Sequence, residues 1–168
     1  MSKVFGNKTC YVPVRDENSR IVVSYGYQER GDNATWWELY FPKNGKVTID
    51  TVKKAVWDDI NKQTDEKILS GFTWSPDGGE TSIHVWLSEE NQRNFSEAQR
   101  IALMMPEAIL PVTFKLGEGK DGSPIYHEFT TAEELTGFYL SAVAYINQCL
   151  AEGWQRKDGI NWEPYQNL

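Results

Sequence analysis

The sequence predicts an α+β fold, with an N-terminal antiparallel β lobe followed by three helices interleaved with two β-hairpins. Three observations predict it. Over residues 9–41, β-branched and aromatic segments alternate with polar turns. Later in the chain, apolar residues recur at helical spacing in three segments. Two pairs of short apolar segments flank turns that are rich in Gly and Asp. We expect a small β lobe at residues 1–45 and an α+β domain at residues 46–168.

The composition is that of a globular protein, because 13% of the 168 residues are aromatic and 24% are charged. The formal net charge is −7, and the basic residues are scattered rather than grouped. A nucleic-acid partner is therefore not expected. No apolar run reaches the roughly 20 residues that a membrane span needs, and the N-terminus MSKVFGNKTCYV lacks the apolar segment of a secretory signal. We expect a soluble protein that is made inside the cell.

The N-terminal lobe is predicted from residues 9–15, 20–28 and 35–41, which are separated by the polar clusters DENS and GDN. Pro42 and the Asn44-Gly45 pair end the lobe, since Asn-Gly readily forms a tight turn. These three segments predict a small antiparallel sheet.

The first helix is predicted over residues 50–70. Asp50 is the expected cap and Gly71 the expected stop. Residues four or eight apart supply its apolar face, namely Val52, Val56, Ile60 and Ile68.

A hairpin follows, with strands at about residues 72–75 and 82–87 around the turn Pro76-Asp77-Gly78-Gly79. Ser88 is the expected cap of the second helix, and Pro106 the expected end. The apolar stripe of that helix is Phe95, Ala98, Ile101, Ala102 and Met105.

The second hairpin pairs ILPVTFKLG with SPIYHEF around a Gly-rich surface turn, and the last helix follows it. Thr130 and Glu133 have the spacing of a capping box. The helical face continues for over five turns, through Leu135, Phe138, Tyr139, Ala142, Tyr145, Ile146, Cys149, Leu150 and Trp154.

No catalytic, cofactor or metal site is expected. His84 and His127 belong to no HExxH motif or His/Asp/Glu cluster, and the pairs Asp58-Asp59, Glu89-Glu90 and Glu133-Glu134 suit helix starts and solvent faces. The chain has neither a GxSxG nucleophile elbow nor a phosphate-binding glycine loop. Cys10 and Cys149 are too few for a zinc site, and a small buried thiol is favoured for Cys149.

Exposed aromatic residues are the candidate interaction surface. In the segment TWWELYF, alternation places Trp36, Glu38 and Tyr40 on one face and the clearly apolar set of Trp37, Leu39 and Phe41 on the other. The half-polar face is the one that would contact a partner, another part of the chain or a sugar. Together with residues of later segments, the candidate surface is Trp36, Tyr40, Trp86 and Trp154.

Six stretches together resemble one protein family. They are WWELYFPKNGKVT, TDEKILSGFTW, VWLSEENQRNF, LPVTFKL, IYHEFTTAEELTGFY and AVAYINQCLAEGWQRKDGI. The resemblance is to a domain of unknown function that tailed phages and prophages carry, often at the C-terminal end of tail or tail-fibre proteins. It covers about residues 36–162, and its most characteristic part is the ending with Trp154, Lys157 and Asp158.

The resemblance implies a bacteriophage virion protein, made in the host cytoplasm without a signal peptide. The family has no assigned catalytic residues, so a non-enzymatic role is expected. The chain lacks the long fibre region that precedes the domain in larger members, which favours a small accessory protein over a receptor-binding fibre. Expected partners are other virion proteins or further copies of the chain in a homo-oligomer. The alternative is a carbohydrate-binding protein that recognises host surface glycans through exposed aromatics at Trp36, Tyr40 and Trp86.

Overall fold

A computed structural model describes residues 2–168. The strands are β1 (Ser2–Asn7), β2 (Val14–Asp16), β3 (Arg20–Arg30), β4 (Asn33–Pro42), β5 (Phe72–Trp74), β6 (Ile83–Val85), β7 (Val112–Glu118) and β8 (Pro124–Phe129). The helices are α1 (Ile49–Ser70), α2 (Glu89–Met104), the single-turn α3 (Pro106–Ile109) and α4 (Ala132–Asp158), with short 3-10 helices at Lys8–Cys10 and Glu163–Tyr165. The predicted α+β class is confirmed.

The chain divides into two compact units. Unit 1 comprises the residues up to Lys62 together with Glu152–Leu168, and unit 2 comprises Gln63–Ala151. The boundary predicted between residues 45 and 46 lies inside unit 1, because the first turns of α1 pack against the sheet of that unit. Helical periodicity predicts that α1 has a buried face, but not which element the face packs on.

Unit 1 is built on a four-stranded antiparallel sheet in the order β1-β4-β3-β2. Side chains alternate between its two faces. On one face, Trp37, Leu39 and Phe41 of β4 pack at the margin of a core that also includes the α1 residues. The fully or nearly buried members of that core are Val23, Tyr25, Val52, Val56, Ile60 and Tyr165.

Strand β1 was not predicted from the sequence, because SKVFGN contains few strong β-formers. Along its whole length it pairs with β4, from Ser2 opposite Glu38 to Asn7 opposite Asn33. A Cβ atom at Gly6 would lie 3.2 Å from Cη2 of Trp36. The absence of a side chain at this position therefore lets the Trp36 ring lie close against β1.

Unit 2 contains the hairpins β5-β6 and β7-β8, helices α2 and α3, and the first part of α4. The backbone amide of Trp86 donates to the carbonyl of Leu116 at 2.8 Å, which joins the two hairpins. Phe138 of α4 lies in the middle of an aromatic core: its ring centroid is 4.9 Å from those of Trp74 and Phe95. The predicted apolar faces of both hairpins therefore converge on α4.

The helix ends agree only partly with the predictions. Ser88 accepts a hydrogen bond from the amide of Asn91 and caps α2, as expected. Helix α1 begins one residue before Asp50, because the Thr48 hydroxyl accepts from the amide of Thr51 and caps the helix instead. At the other end of α1, Gly71 adopts a φ of 90° and stops the helix as predicted.

The capping box of α4 lies one residue later than the predicted Thr130 and Glu133. The amide of Glu134 donates to the hydroxyl of Thr131, while the carboxylate of Glu134 accepts from the amide of Thr130. A Thr-Thr-Ala-Glu-Glu sequence permits either register, and the folded chain adopts the later one.

Candidate functional site

The four residues of the predicted interaction surface differ widely in exposure. Trp36 is only 2% exposed, whereas Tyr40 is 38%, Trp86 36% and Trp154 59% exposed. Trp36 and Tyr40 lie on β4 of unit 1, Trp154 lies on α4 in the same unit, and Trp86 belongs to unit 2. The inclusion of Trp36 in an exposed surface is therefore wrong. Of the three aromatic residues expected to recognise a glycan, Trp36, Tyr40 and Trp86, only Tyr40 and Trp86 are exposed.

Trp36 and Tyr40 instead meet at a buried carboxylate. The side chain of Glu38, which is 8% exposed, accepts hydrogen bonds from Arg15 Nη1 at 2.8 Å, from Trp36 Nε1 at 3.1 Å and from the Tyr40 hydroxyl at 3.1 Å. The guanidinium of Arg20 stacks on the Tyr40 ring, 4.5 Å from its centroid. These residues form a hydrogen-bonded network on the sheet face opposite to the one that packs on α1.

The network keeps Glu38 ionised. Burial disfavours the charged carboxylate, but the hydrogen bonds from Arg15, Trp36 and Tyr40 outweigh this effect, and the pKa of Glu38 lies below its ordinary value. The hydrogen bond to Glu38 also raises the pKa of the Arg15 guanidinium. A carboxylate that accepts three hydrogen bonds stabilises the sheet and is a poor proton acceptor for catalysis.

Both histidines have structural partners. His84 is exposed, and its Nε2 lies 2.6 Å from the carbonyl oxygen of Ser70, which links β6 to the end of α1. His127 Nε2 lies 2.8 Å from Oε1 of Glu134, which links β8 to the first turn of α4. These contacts favour the structural interpretation of both residues.

One of the carboxylate pairs was assigned wrongly. Asp58 is exposed and pairs with Lys54 at 2.8 Å, as a solvent-face residue would. Asp59, however, is 8% exposed and accepts a hydrogen bond from the hydroxyl of Tyr25. Asp59 lies on the face of α1 that packs on the sheet, and the Tyr25 hydroxyl offsets the cost of burying its carboxylate.

The two cysteines differ in environment. Cys149 is 1% exposed on α4, which confirms the prediction of a buried thiol, and Cys10 is exposed. Both are free thiols. Within residues 2–168, no three His, Cys, Asp or Glu side chains are grouped so as to hold a metal ion.

An exposed apolar surface lies at the end of α2 in unit 2. Leu103, Met104 and Met105, three consecutive residues at this end, are 60%, 68% and 56% exposed. We refer to Leu103, Met104 and Met105 as the Leu-Met surface.

The sequence prediction missed the Leu-Met surface because it placed Met105 on the buried stripe of α2. In the structure α2 ends at Met104, and Met105 leaves the helix with φ −146° and ψ 71°. Pro106, which follows, disfavours the helical conformation at Met105. The apolar run Ile101-Ala102-Leu103-Met104-Met105 is longer than one helix face can bury, and this excess was the available signal.

No helix within residues 2–168 is both long enough and apolar enough to cross a bilayer. No curated protein and no solved structure gives a significant match to the chain. A family described as a domain of unknown function, DUF4376, matches residues 51–167, a range that begins close to the predicted start of the α+β domain and includes the whole of unit 2. This match covers more than half of the 168 residues, and the chain therefore belongs to the DUF4376 family of domains of unknown function.

Proposed function

We propose that this protein is a non-enzymatic accessory protein of a bacteriophage virion, associated with the tail, which acts by binding other virion proteins or further copies of itself. The proposed association with a phage tail rests on the resemblance of residues 36–162 to a domain carried by tailed phages. The structural partners of His84, His127 and Glu38 favour a role without catalysis.

The observation that carries the proposal is the Leu-Met surface. Its three side chains belong to consecutive residues and are each more than half exposed, and contiguous exposed apolar groups commonly mark sites of protein association. Methionine suits such a surface because its unbranched, polarisable side chain adapts to the shape of a partner. Complete burial of one Leu or Met side chain contributes roughly 1.5–3 kcal/mol, so three of them offset part of the cost of association.

The proposal is tested first by measuring mass in solution. Light scattering on the purified protein over a range of concentrations is expected to detect an oligomer, and the double variant Leu103→Gln, Met104→Gln is expected to shift it towards the monomer. Leu69→Gln is a matched control, because Leu69 is a 45% exposed leucine on α1 outside the Leu-Met surface. This control is expected to leave the mass unchanged.

Mass spectrometry of purified phage particles tests the virion assignment. We expect the wild-type chain in the particles and a reduced amount of the double variant when both are produced at equal levels. A wild-type protein that is monomeric at every concentration and missing from purified particles would overturn the proposal.

A further inference from the structure

Unit 1 has an open cleft that the proposed function does not use. Its volume is about 520 Å³, and its walls come from the middle of α1 and from the end of α4 with the residues that follow. Cavities of about 300–1,000 Å³ are typical of small-molecule sites. The cleft is large enough to hold a small ligand.

Two tryptophans form an aromatic corner in this cleft. The ring centroids of Trp57 and Trp162 are 6.2 Å apart, and the ring planes are at 88° to each other. Trp57 is 43% exposed although its neighbour Val56 is fully buried, so its indole stands on a helix that is anchored in the core. Large, exposed indole rings on rigid elements provide flat apolar surfaces for a ligand.

Two other residues of unit 1 contact the ring of Trp162. Its ring lies 5.7 Å from that of Tyr165, which is 3% exposed and donates a hydrogen bond to the carbonyl of Ser24 at 2.6 Å. The ammonium of Lys53 lies 5.7 Å from the centroid of Trp162. Because Lys53 and Tyr165 already contact Trp162, Trp57 presents the freer ring surface.

The polar groups of the cleft include both donors and acceptors. Asp58 and Asp158 supply carboxylates, Lys157 supplies an ammonium, and Asn61 supplies an amide. Lys157 Nζ donates to Asn61 Oδ1, which orients both side chains towards each other. An ammonium has three donors and an amide NH₂ has two, so both retain capacity for a ligand.

This mixture favours a neutral, polyhydroxylated ligand. Asp158 and Asp58, the latter paired with Lys54, oppose an anion such as phosphate, while Lys157 within the cleft and Lys53 beside it oppose a cation. A sugar hydroxyl both donates and accepts hydrogen bonds, and the C–H face of a sugar ring is apolar enough to lie on an indole. We propose that this cleft binds a saccharide, with one sugar ring stacked on Trp57 and its hydroxyls hydrogen-bonded to Asp58, Asn61, Lys157 and Asp158.

The test begins with an immobilised array of oligosaccharides that contain glucose, galactose, N-acetylglucosamine or rhamnose, probed with the full chain. The best-bound oligosaccharide is then titrated by calorimetry against the wild type and the variants. We expect Trp57→Ala to weaken binding at least tenfold. Phe5→Ala is the matched control, since Phe5 is an exposed aromatic residue of the same unit that does not line the cleft, and we expect unchanged affinity.

Lys157→Met provides a second variant in case Trp57→Ala lowers stability, and thermal melting verifies that each variant is folded. It removes a hydrogen-bond donor without removing the indole, so weaker binding is again expected. Choline and inorganic phosphate are titrated as cationic and anionic probes. The proposal is overturned by failure of every array saccharide to bind, by binding that Trp57→Ala leaves intact, or by Trp57-dependent binding of choline alone. None of these outcomes depends on the oligomeric mass, so the two proposals fail separately.

Discussion

Arg15 Nη1 lies 2.8 Å from Glu38 Oε1, although the two residues belong to strands β2 and β4, which are separated by β3. The ion pair therefore crosses β3 on the face that carries Val22 and Ser24, both of which are fully buried. In this arrangement, side chains from β2 and β4 cover β3 on the face opposite to α1. Through this ion pair, Glu38 connects β4 to β2 across the intervening strand β3.

We predict that Glu38→Gln lowers the free energy of unfolding by about 1–3 kcal/mol, because the amide keeps the shape of the side chain but leaves the Arg15 guanidinium without its carboxylate. Urea denaturation followed by circular dichroism measures the change. Glu97→Gln is the control, since Glu97 pairs with Arg100 in an exposed salt bridge. Equal stability of Glu38→Gln and the wild type would contradict a stabilising role for the network.

The lowered pKa of Glu38 predicts a dependence of stability on pH. The folded protein binds the proton less readily than the unfolded chain, whose carboxyl has the ordinary pKa of 4.5. The contribution of Glu38 is therefore fully present above that pH and is lost as the pH falls through the lower pKa of the folded state. The difference in melting temperature between the wild type and Glu38→Gln is expected to shrink on acidification. A difference that stays constant down to acid pH would refute this assignment.

Substitution of Gly71 by Ala is predicted to destabilise unit 2. Gly71 has a φ of 90°, and a Cβ atom there would lie 1.9 Å from the carbonyl oxygen of Val85. The strained backbone alone costs about 1–3 kcal/mol, and the overlap adds to it. Gly31→Ala separates the two effects, because Gly31 has a φ of 64° but no neighbouring atom within 4 Å of the position that a Cβ atom would occupy.

Gly137, in helix α4, is a control position at which alanine is expected to stabilise the protein, because nothing lies within 4 Å of a Cβ atom there. Gly137→Ala is expected to raise stability by roughly 0.5–1 kcal/mol through the lower entropy of the unfolded chain. Thermal or urea unfolding of the three variants gives the order of stability. Gly71→Ala at or above the stability of Gly31→Ala would show that the contact with Val85 is relieved at little cost.

Thiol labelling is predicted to distinguish the two cysteines. Cys10 is exposed and is expected to react quickly with a chromogenic disulfide reagent, whereas Cys149, at 1% exposure, reacts only when α4 opens. One thiol per chain is therefore expected in buffer and two in denaturant. Cys10→Ser should abolish the fast reaction. Two fast thiols in the native protein would contradict the burial of Cys149.

Sequence patterns predicted the helices and hairpins well where the determinants are local. The periodic Val52, Val56 and Ile60, the cap at Ser88 and the stop at Gly71 depend on neighbours within one or two helical turns, which a single sequence displays. Predictions failed where two local solutions were equivalent. Thr130 and Thr131 are equally suitable caps by sequence, and the folded chain uses Thr131.

The candidate sites required the tertiary structure. Trp57 and Trp162 are more than one hundred residues apart, and no periodic pattern relates them. The Leu-Met surface depends on where α2 ends and on which face of that helix is buried. Long-range proximity of this kind is decided by packing between elements.

By itself, the sequence determined the α+β class, most elements and the alternation that separates Trp36, Glu38 and Tyr40 from Trp37, Leu39 and Phe41. Alternation specifies two faces but contains no information on what covers each one. The tertiary structure decided that Trp36 is buried, because Gly6 and Tyr11 lie against its ring and Glu38 binds its indole nitrogen. Contacts from distant parts of the chain thus turned a residue expected on the surface into part of the core.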